Sequence, residues 1–211
     1  MIDKGKLEEQ YTYKFIKRTF DVIASLIGLI CLSPVFLIIA ICIKINDPKG
    51  PVFYSAYRVG KNEKLFKMFK FRSMITNADK LKDQLLSQNE VAGAMFKLKH
   101  DPRITSVGRI IRKYSLDELP QLANVLQGNM SLVGPRPPLE SEVAGYTDFD
   151  KQRLLVKPGC TGPWQVGGRN DVDFGEMVKL DLNYIKNRSL LLDLGIILKT
   201  VKIMVKPNGA Y

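Results

Sequence analysis

The sequence predicts a mainly α-helical protein of the α+β class, with one small β-hairpin and an N-terminal helix–break–helix segment suited to a membrane. Three observations support this fold class. Residues 22–43 carry no charged side chain. Residues 52–71 contain two stretches rich in β-branched and aromatic side chains, separated by turn-forming residues. Beyond them, apolar residues recur mostly at helical spacing, so helices should account for most of the remaining chain.

The apolar run at residues 22–43 is long enough to reach across a membrane. At 1.5 Å per residue, about 20 helical residues cross a hydrocarbon core about 30 Å thick. Pro34 should break the helix at the midpoint, because it lacks a backbone N–H and clashes with the preceding turn, and Ser33 can bond back to a freed carbonyl. Basic residues flank both ends, and such residues mark the cytoplasmic side. A kinked span and a re-entrant segment that enters and leaves by one face both fit these residues.

The chain after this run divides into elements at its turn-forming residues. We expect hairpin strands over 52–57 and 64–71, joined by a turn over 58–63. Glycines and two prolines in residues 157–170 predict a structured loop rather than a core element. A last helix with lysines on an otherwise apolar surface is typical of an amphipathic membrane-surface helix. The predicted helices cover residues 76–99, 115–126, 139–145, 174–187 and 190–205.

The formal net charge of +11 indicates an anionic partner, either nucleic acid or an anionic membrane surface. The basic residues crowd the flanks of the apolar run, so we expect membrane lipid and no nucleic acid. Three cysteines argue against a disulfide framework. A single histidine, His100, excludes a multi-histidine metal site and is expected to be a solvated loop residue.

The strongest candidate for chemistry is the adjacent acidic pair Asp117 and Glu118, five residues beyond Arg112. One carboxylate of such a pair can attack a phosphorus atom, and the other can hold a divalent cation. An arginine nearby would bind phosphate oxygens. The alternative is purely structural, because Ser115 and Glu118 have the spacing of a capping box in which the glutamate bonds to the helix start.

Weaker candidates lie in two loops and one helix. Arg136 is held between prolines in residues 134–138, which suits a phosphate clamp and equally a solvated surface turn. Arg169 follows two glycines whose amides could approach an anion. Asp193 lies in an apolar helix. The default interpretation is a side chain exposed to solvent, but the apolar neighbours of Asp193 make that interpretation weaker. No phosphate-binding loop of the G-x-x-x-x-G-K-[ST] type occurs in the sequence.

Taken together, these motifs resemble the bacterial sugar transferases, monotopic polyprenyl-phosphate phosphoglycosyl transferases that start glycan assembly. The resemblance runs from about Phe15 to Tyr211 and follows the family's order: KRTFDVIASLIGLICLSPVF, KMFKFRSM, SLDELPQL, VGPRP and KPGCTGPWQVGGRN. The combination of SLDELPQL with VGPRP at this spacing is highly specific. It favours catalysis over capping for the acidic pair.

The resemblance implies a role for each matched residue. Asp117 would attack the sugar-proximal phosphate of a UDP-sugar, releasing UMP and forming a phosphoglycosyl-aspartate. A polyprenyl (undecaprenyl) phosphate would then take the sugar 1-phosphate, in a ping-pong mechanism. Glu118 would hold Mg²⁺ at the diphosphate. The positions implied to bind substrate phosphates or complete the site are Arg112, Arg136, Arg169 and Asp193.

The resemblance also implies where the protein works. Ser33 and Pro34 match the family's helix-breaking pair, which favours the re-entrant segment over the span. Residues 1–45 would form the interfacial segment and re-entrant helix, and residues 46–211 a catalytic domain on the cytoplasmic face of the bacterial inner membrane. The chain looks like a catalytic core alone, with a hexose 1-phosphate as the expected cargo in surface-glycan assembly. The sequence leaves open whether the chain forms a homodimer. The alternative function is a non-catalytic membrane scaffold that binds anionic lipid.

Overall fold

The computed structural model describes residues 1–85, 98, 101–167 and 173–206. Helices dominate it, and a two-stranded antiparallel sheet is present, so the predicted fold class is confirmed. Short 3₁₀ turns cover Lys61–Glu63, Leu116–Glu118 and Gln152–Leu155. The other elements are α1 (Lys4–Glu9), α2 (Tyr11–Cys31), α3 (Ser33–Asn46), β1 (Phe53–Val59), β2 (Leu65–Phe71), α4 (Ala78–Leu85), α5 (Ser106–Lys113), α6 (Gln121–Leu126), β3 (Ser131–Val133), α7 (Glu140–Val143), α8 (Asp148–Lys151), β4 (Gly159–Thr161), α9 (Pro163–Gly167), α10 (Phe174–Asn187) and α11 (Leu190–Val205).

The break predicted at Ser33–Pro34 is confirmed. Helices α2 and α3 meet at a bend of 58°. The Ser33 hydroxyl donates to the Ile30 carbonyl at 2.7 Å, and Pro34 lies in the first turn of α3, where its missing N–H leaves no bond unmade. Within the described residues no single helix is both long and apolar enough to cross a membrane, whereas this bent pair passes that test together.

The two faces of the bent pair differ. One face packs on the rest of the protein, where Ile39 and Ile43 of α3 form a buried cluster with Phe71 and Ile111. The other face exposes large apolar side chains, which is typical of a surface that meets a membrane or a partner. The exposed apolar residues of the pair are Phe15, Ile16, Phe20, Ile23, Leu26, Ile27, Ile30, Leu37, Ile38, Ile41 and Ile45.

The β-hairpin forms where the sequence predicted it, with its strands shifted by one or two residues. Its register pairs Phe53 with Phe71 and Val59 with Leu65. The connecting turn includes two residues in the left-handed region, Asn62 and Glu63. One face of β2 packs in a buried cluster with Val125 and Met130, and this contact fixes the hairpin above α6.

Two predictions for the middle of the chain are wrong. Residues 157–170 were expected to be loop, but residues 159–161 form β4, which pairs in parallel with β3. Gly134 and Gly159 permit this pairing, because a side-chain carbon at either position would collide with the backbone of the other segment. The single helix expected over 115–126 is a 3₁₀ turn followed by α6, with Pro120 at the junction.

The helices predicted over 174–187 and 190–205 are confirmed with the same bounds as α10 and α11. Their inner faces form the main core, in which Val178, Ile185 and Ile196 pack against Val133 of β3. The helix predicted over 139–145 is shorter, at Glu140–Val143. The helix predicted over 76–99 is α4 in its first part; its remainder, apart from residue 98, lies outside the described residues, as does His100.

Candidate active site

A cavity of about 260 Å³ lies between β2, the Leu116–Glu118 turn, the 134–138 loop and the β4–α9 segment. Four of the residues singled out in the sequence line it together. The structure therefore brings into one cavity side chains that lie up to 24 positions apart in the sequence, from residue 112 to residue 136. These four residues are Arg112, Asp117, Glu118 and Arg136.

Asp117 is a buried carboxylate, 6% exposed. It lies in the 3₁₀ turn Leu116–Glu118. This turn follows Ser115, whose backbone is left-handed (φ 55°), and α5, which ends at Lys113. Burial raises the pKa of Asp117 to about 6, the neighbouring Glu118 adds to the rise, and the positive charges of Lys70 and Arg112 oppose it. The carboxylate interacts with its own backbone N–H, but no side chain within the described residues donates a hydrogen bond to it, and it lines the cavity where a ligand would bind.

Glu118 forms an ion pair with a cation from the hairpin. Its Oε1 accepts a hydrogen bond from Lys70 Nζ at 2.6 Å. The Ser115 side chain makes no capping hydrogen bond, so the capping-box interpretation is wrong. Lys70 extends from β2 over the acidic pair, which ties the hairpin to the site.

Arg136 is held in place by a buried acid. Its Nη1 lies 3.3 and 3.2 Å from the two carboxylate oxygens of Glu142, which is 4% exposed. Glu142 also accepts a hydrogen bond from the Leu139 amide at 2.8 Å. The proline-rich loop therefore presents Arg136 to the cavity with its orientation already set by α7.

Arg58 also lines the cavity, and the sequence interpretation treated it only as a turn and flanking residue. Its Nε and Nη1 are buried, and neither has a hydrogen-bond partner within the described chain. Burial lowers the pKa of Arg58, and repulsion from Arg136 lowers it further. The period-two pattern could have found it: Arg58 pairs with Phe66, and Lys70 pairs with Tyr54 four pairs further along, so Arg58 and Lys70 share a face of the hairpin.

The indole of Trp164 is the second missed feature. Trp164 lies in α9 and lines the cavity, and its buried Nε1 has no acceptor among the residues that the structure describes. A buried indole N–H usually has a partner. Trp164 thus adds a hydrogen-bond donor without an acceptor to a cavity lining that also contains cations.

The structure does not bring Asp193 into this cavity. Its Oδ1 accepts a hydrogen bond from the Tyr184 hydroxyl at 2.6 Å. Its Oδ2 accepts from Lys17 Nζ at 2.8 Å and from the Tyr13 hydroxyl at 3.0 Å. Asp193 is 3% exposed, so the solvated interpretation is wrong. Arg169, the remaining predicted phosphate-binding residue, lies outside the described residues.

The side chains of the cavity supply only some of the ligands that Mg²⁺ needs. Within the described chain no group of three or more His, Cys, Asp or Glu side chains could hold a metal ion. Asp117 and Glu118 supply two carboxylates, and Mg²⁺ in phosphate-processing sites commonly uses one or two carboxylates together with substrate phosphates and water. The residues present therefore fit Mg²⁺ that is bound along with a diphosphate.

Comparison with known proteins places these residues in a family context. The bacterial sugar transferase profile matches residues 12–207. The undecaprenyl-phosphate galactose phosphotransferase of Salmonella typhimurium is 50% identical over 202 residues, which cover 94% of this chain and 42% of that protein. The galactosyl transferase CpsE of Streptococcus agalactiae is 46% identical over 202 residues, or 95% of this chain and 44% of that protein.

A shorter relative is matched along most of its length. The exopolysaccharide production protein ExoY of Sinorhizobium fredii is 43% identical over 199 residues, which cover 92% of this chain and 88% of that protein. The chain thus spans less than half of the Salmonella and Streptococcus relatives and most of the rhizobial one.

Proposed function

The chain belongs to the bacterial sugar transferase family, and on this basis we propose that it is a phosphoglycosyl transferase. It moves a sugar 1-phosphate from a UDP-sugar to a polyprenyl phosphate and releases UMP. The names of its relatives include galactose and glucose phosphotransferases that act on undecaprenyl phosphate, and we extend that lipid carrier and a hexose to this chain. The transfer would begin the assembly of a surface glycan.

The observation that carries this proposal is the environment of the Asp117 carboxylate. Its carboxylate is buried and open to the cavity, and no described side chain donates a hydrogen bond to it. Arg58, Arg112 and Arg136 line the same cavity. A carboxylate free to form a bond, set among cations that attract phosphate, is the arrangement that covalent phosphoryl chemistry needs.

The reaction proceeds in two displacements. An Asp117 oxygen attacks the sugar-bearing phosphorus of the UDP-sugar; a new O–P bond forms, and the bond from phosphorus to the bridging oxygen breaks to release UMP. An oxygen of the polyprenyl phosphate then attacks the same phosphorus. The bond to Asp117 breaks, the carboxylate is restored, and the sugar diphosphate remains on the lipid.

Other residues of the chain position the substrates. Arg136, fixed by Glu142, and Arg112 at the end of α5 hold phosphate oxygens, and the unpartnered nitrogens of Arg58 provide further donors. Lys70 keeps Glu118 oriented toward the cavity. Mg²⁺, when bound by Glu118 and the diphosphate, would neutralise charge on the phosphate oxygens.

We further propose that the bent pair α2–α3 enters one leaflet and returns to the cytoplasmic face. The exposed apolar face of the pair and the basic residues at both of its ends support this topology. Single cysteines at the exposed positions Thr12 and Lys49, in a chain without its native cysteines, test it in sealed vesicles. Labelling from the same side is expected, and labelling from opposite sides would restore a spanning segment.

The activity test uses the full chain in lipid nanodiscs with Mg²⁺, undecaprenyl phosphate and a panel of UDP-hexoses. We expect UMP release with at least one sugar, loss of release in Asp117→Asn, and normal release in Glu140→Gln, which removes an exposed acid near the site. Absence of UMP release with every sugar, together with binding to anionic lipid, would favour a non-catalytic scaffold. Turnover by Asp117→Asn at the parent's rate would refute the nucleophile assignment.

A further inference from the structure

A second and larger cavity, of about 930 Å³, lies on another part of the molecule and shares no lining residue with the Asp117 cavity. Its walls are the first half of α2, the hairpin turn Lys61–Glu63, β3 and residues 148–157. Nothing in the proposed transfer reaction uses these residues.

The walls of this cavity carry an excess of positive charge. Seven lining side chains are basic and four are acidic. Within the described residues only Lys17 among these cations forms an ion pair, and its partner is Asp193. The cations without an ion pair are Lys14, Arg18, Lys61, Lys151, Lys157 and Arg188.

The cations also repel one another. Burial lowers the pKa of Lys157, and the charges of Arg18 and Lys61 lower it further, although Asp21 acts in the opposite direction. The pKa of Lys14 is lowered by burial and by Lys61 and Arg188 in the same way. A protein that holds like charges together at a cost in free energy has a site that an anion would stabilise.

Two of these cations, Arg18 and Lys157, lie close together beside Gly128. A side-chain carbon at Gly128 would lie 3.6 Å from both Arg18 Nη2 and Lys157 Nζ. Arg18 is held there because it donates to the carbonyls of Val125 at 2.6 Å and Leu126 at 2.9 Å, which leaves its charge without a counterion. Lys157, which is half-buried, has no hydrogen-bond partner among the described residues.

A neutral donor completes the lining. The hydroxyl of Ser131, at the start of β3, is buried and has no partner in the part of the chain that the structure describes. A buried hydroxyl without a partner destabilises the fold, and a ligand oxygen would offset that cost. Cations together with an unpaired hydroxyl match the oxygens of a phosphate group.

We propose that this cavity is a second anion site, which binds a phosphate monoester or diphosphate independently of the Asp117 cavity. Lys14, Lys17 and Arg18 lie in α2 immediately before its apolar residues, so the bound phosphate can belong to a soluble molecule or to a lipid headgroup. The proposal does not rest on the transfer reaction, and binding is measured without catalysis.

Calorimetric titration of the full chain with inorganic pyrophosphate tests the site, in phosphatidylcholine nanodiscs with EDTA present. We expect two binding events in the parent. Lys61→Gln/Lys157→Gln should weaken one of them at least about tenfold, because both lysines would donate charge-assisted hydrogen bonds to the phosphate oxygens. Arg112→Gln/Arg136→Gln should weaken the other.

The matched control is Lys64→Gln/Lys179→Gln, which removes the same charge from exposed positions outside both cavities. It should leave both binding events unchanged. The Lys61/Lys157 variant should also melt no lower than the parent in anion-free buffer, because the variant removes repulsion. Equal weakening by the control pair, or no effect of the Lys61/Lys157 pair on either event, would overturn the proposal.

A second arm identifies the source of the phosphate. The parent is titrated in nanodiscs that also contain phosphatidic acid, a lipid with a phosphate monoester headgroup. Loss of the Lys157-dependent event there assigns the cavity to a lipid headgroup, whereas retention of that event assigns it to a soluble phosphate. Both results support the anion site and differ only in its occupant.

Discussion

Asp117 and Asp193 are both buried carboxylates, yet their surroundings differ in almost every respect. Asp193 accepts hydrogen bonds from two phenols and one ammonium group, and these bonds join α2, α10 and α11. Asp117 receives no hydrogen bond from any described side chain and opens into a cavity lined with arginines. Burial alone therefore does not mark a reactive acid; the absence of a side-chain donor among the described residues does.

Asp117 and Asp193 also differ in how their charges affect the stability of the fold. Asp193 is paired with Lys17, so removing either side chain would leave a buried charge without its counterion and destabilise the fold. Ionised Asp117 is costly to the fold, as its raised pKa indicates, and that cost is offset when a phosphorus atom or cation approaches. The site thus holds a group that the fold itself does not need.

The largest expected effect is on activity at Asp117. Asp117→Asn keeps the shape but removes the nucleophile, so kcat should fall on the order of 10⁴-fold or more. The melting temperature should stay at the parent's value or rise, because a costly buried charge is gone. UMP release and differential scanning fluorimetry measure the two quantities. A large fall in melting temperature would show that Asp117, like Asp193, supports the fold.

Next in size is the effect on stability at Asp193. Asp193→Asn leaves Lys17 charged and without its counterion, so unfolding free energy should fall by about 3–5 kcal/mol. Chemical denaturation of the detergent-solubilised chain measures this change, with Glu176→Gln, an exposed acid of α10, as control. Unchanged stability together with lost activity would move Asp193 to the catalytic site.

The pH dependence of stability should report the raised pKa of Asp117. The pKa of Asp117 is about 6 in the folded chain and about 4 when unfolded, so the folded state binds more protons between these values. Stability should therefore fall by about 2–3 kcal/mol as the pH rises from 4 to 6. Comparing the parent with Asp117→Asn in EDTA isolates the contribution of Asp117 to the pH dependence of stability. Identical pH profiles for both proteins would show that Asp117 makes no such contribution.

The smallest of these effects concerns Arg58. Arg58→Gln should lower kcat/KM about 10- to 100-fold, because a charged donor to phosphate is lost. Stability should not fall, since two of its buried nitrogens have no partner in the described chain. Arg109→Gln, on the exposed side of α5, is the matched control. Equal kinetics for the Arg58 variant and the parent would remove Arg58 from the site.

Local patterns predicted much of this protein. Helices α10 and α11 were predicted with the observed bounds because each starts at a capping residue, Asp173 or Ser189, and continues with apolar residues at helical spacing. The break at Ser33–Pro34 follows from proline chemistry alone. The acidic pair was found because two adjacent carboxylates follow an arginine at short range.

The missed features depend on contacts between distant parts of the chain. The β3–β4 pairing joins two three-residue strands 28 positions apart, as Ser131 and Gly159 show, and such short strands carry no periodic signal. Asp193 looked like a solvated acid because its partners Tyr13 and Lys17 come from the other end of the sequence. The left-handed residue Ser115 separates the acidic pair from α5. Because it is not a glycine, the sequence gives no signal of this conformation.

The central claim is that Asp117 forms a bond to the sugar-bearing phosphorus. The chain in nanodiscs is incubated with Mg²⁺ and a UDP-hexose carrying ³²P in the sugar-proximal phosphate, without polyprenyl phosphate. We predict label retained on the protein, located in the peptide that contains Asp117, and discharged when undecaprenyl phosphate is added. UMP release that requires both substrates together, with no label on the protein at any time, would contradict the account.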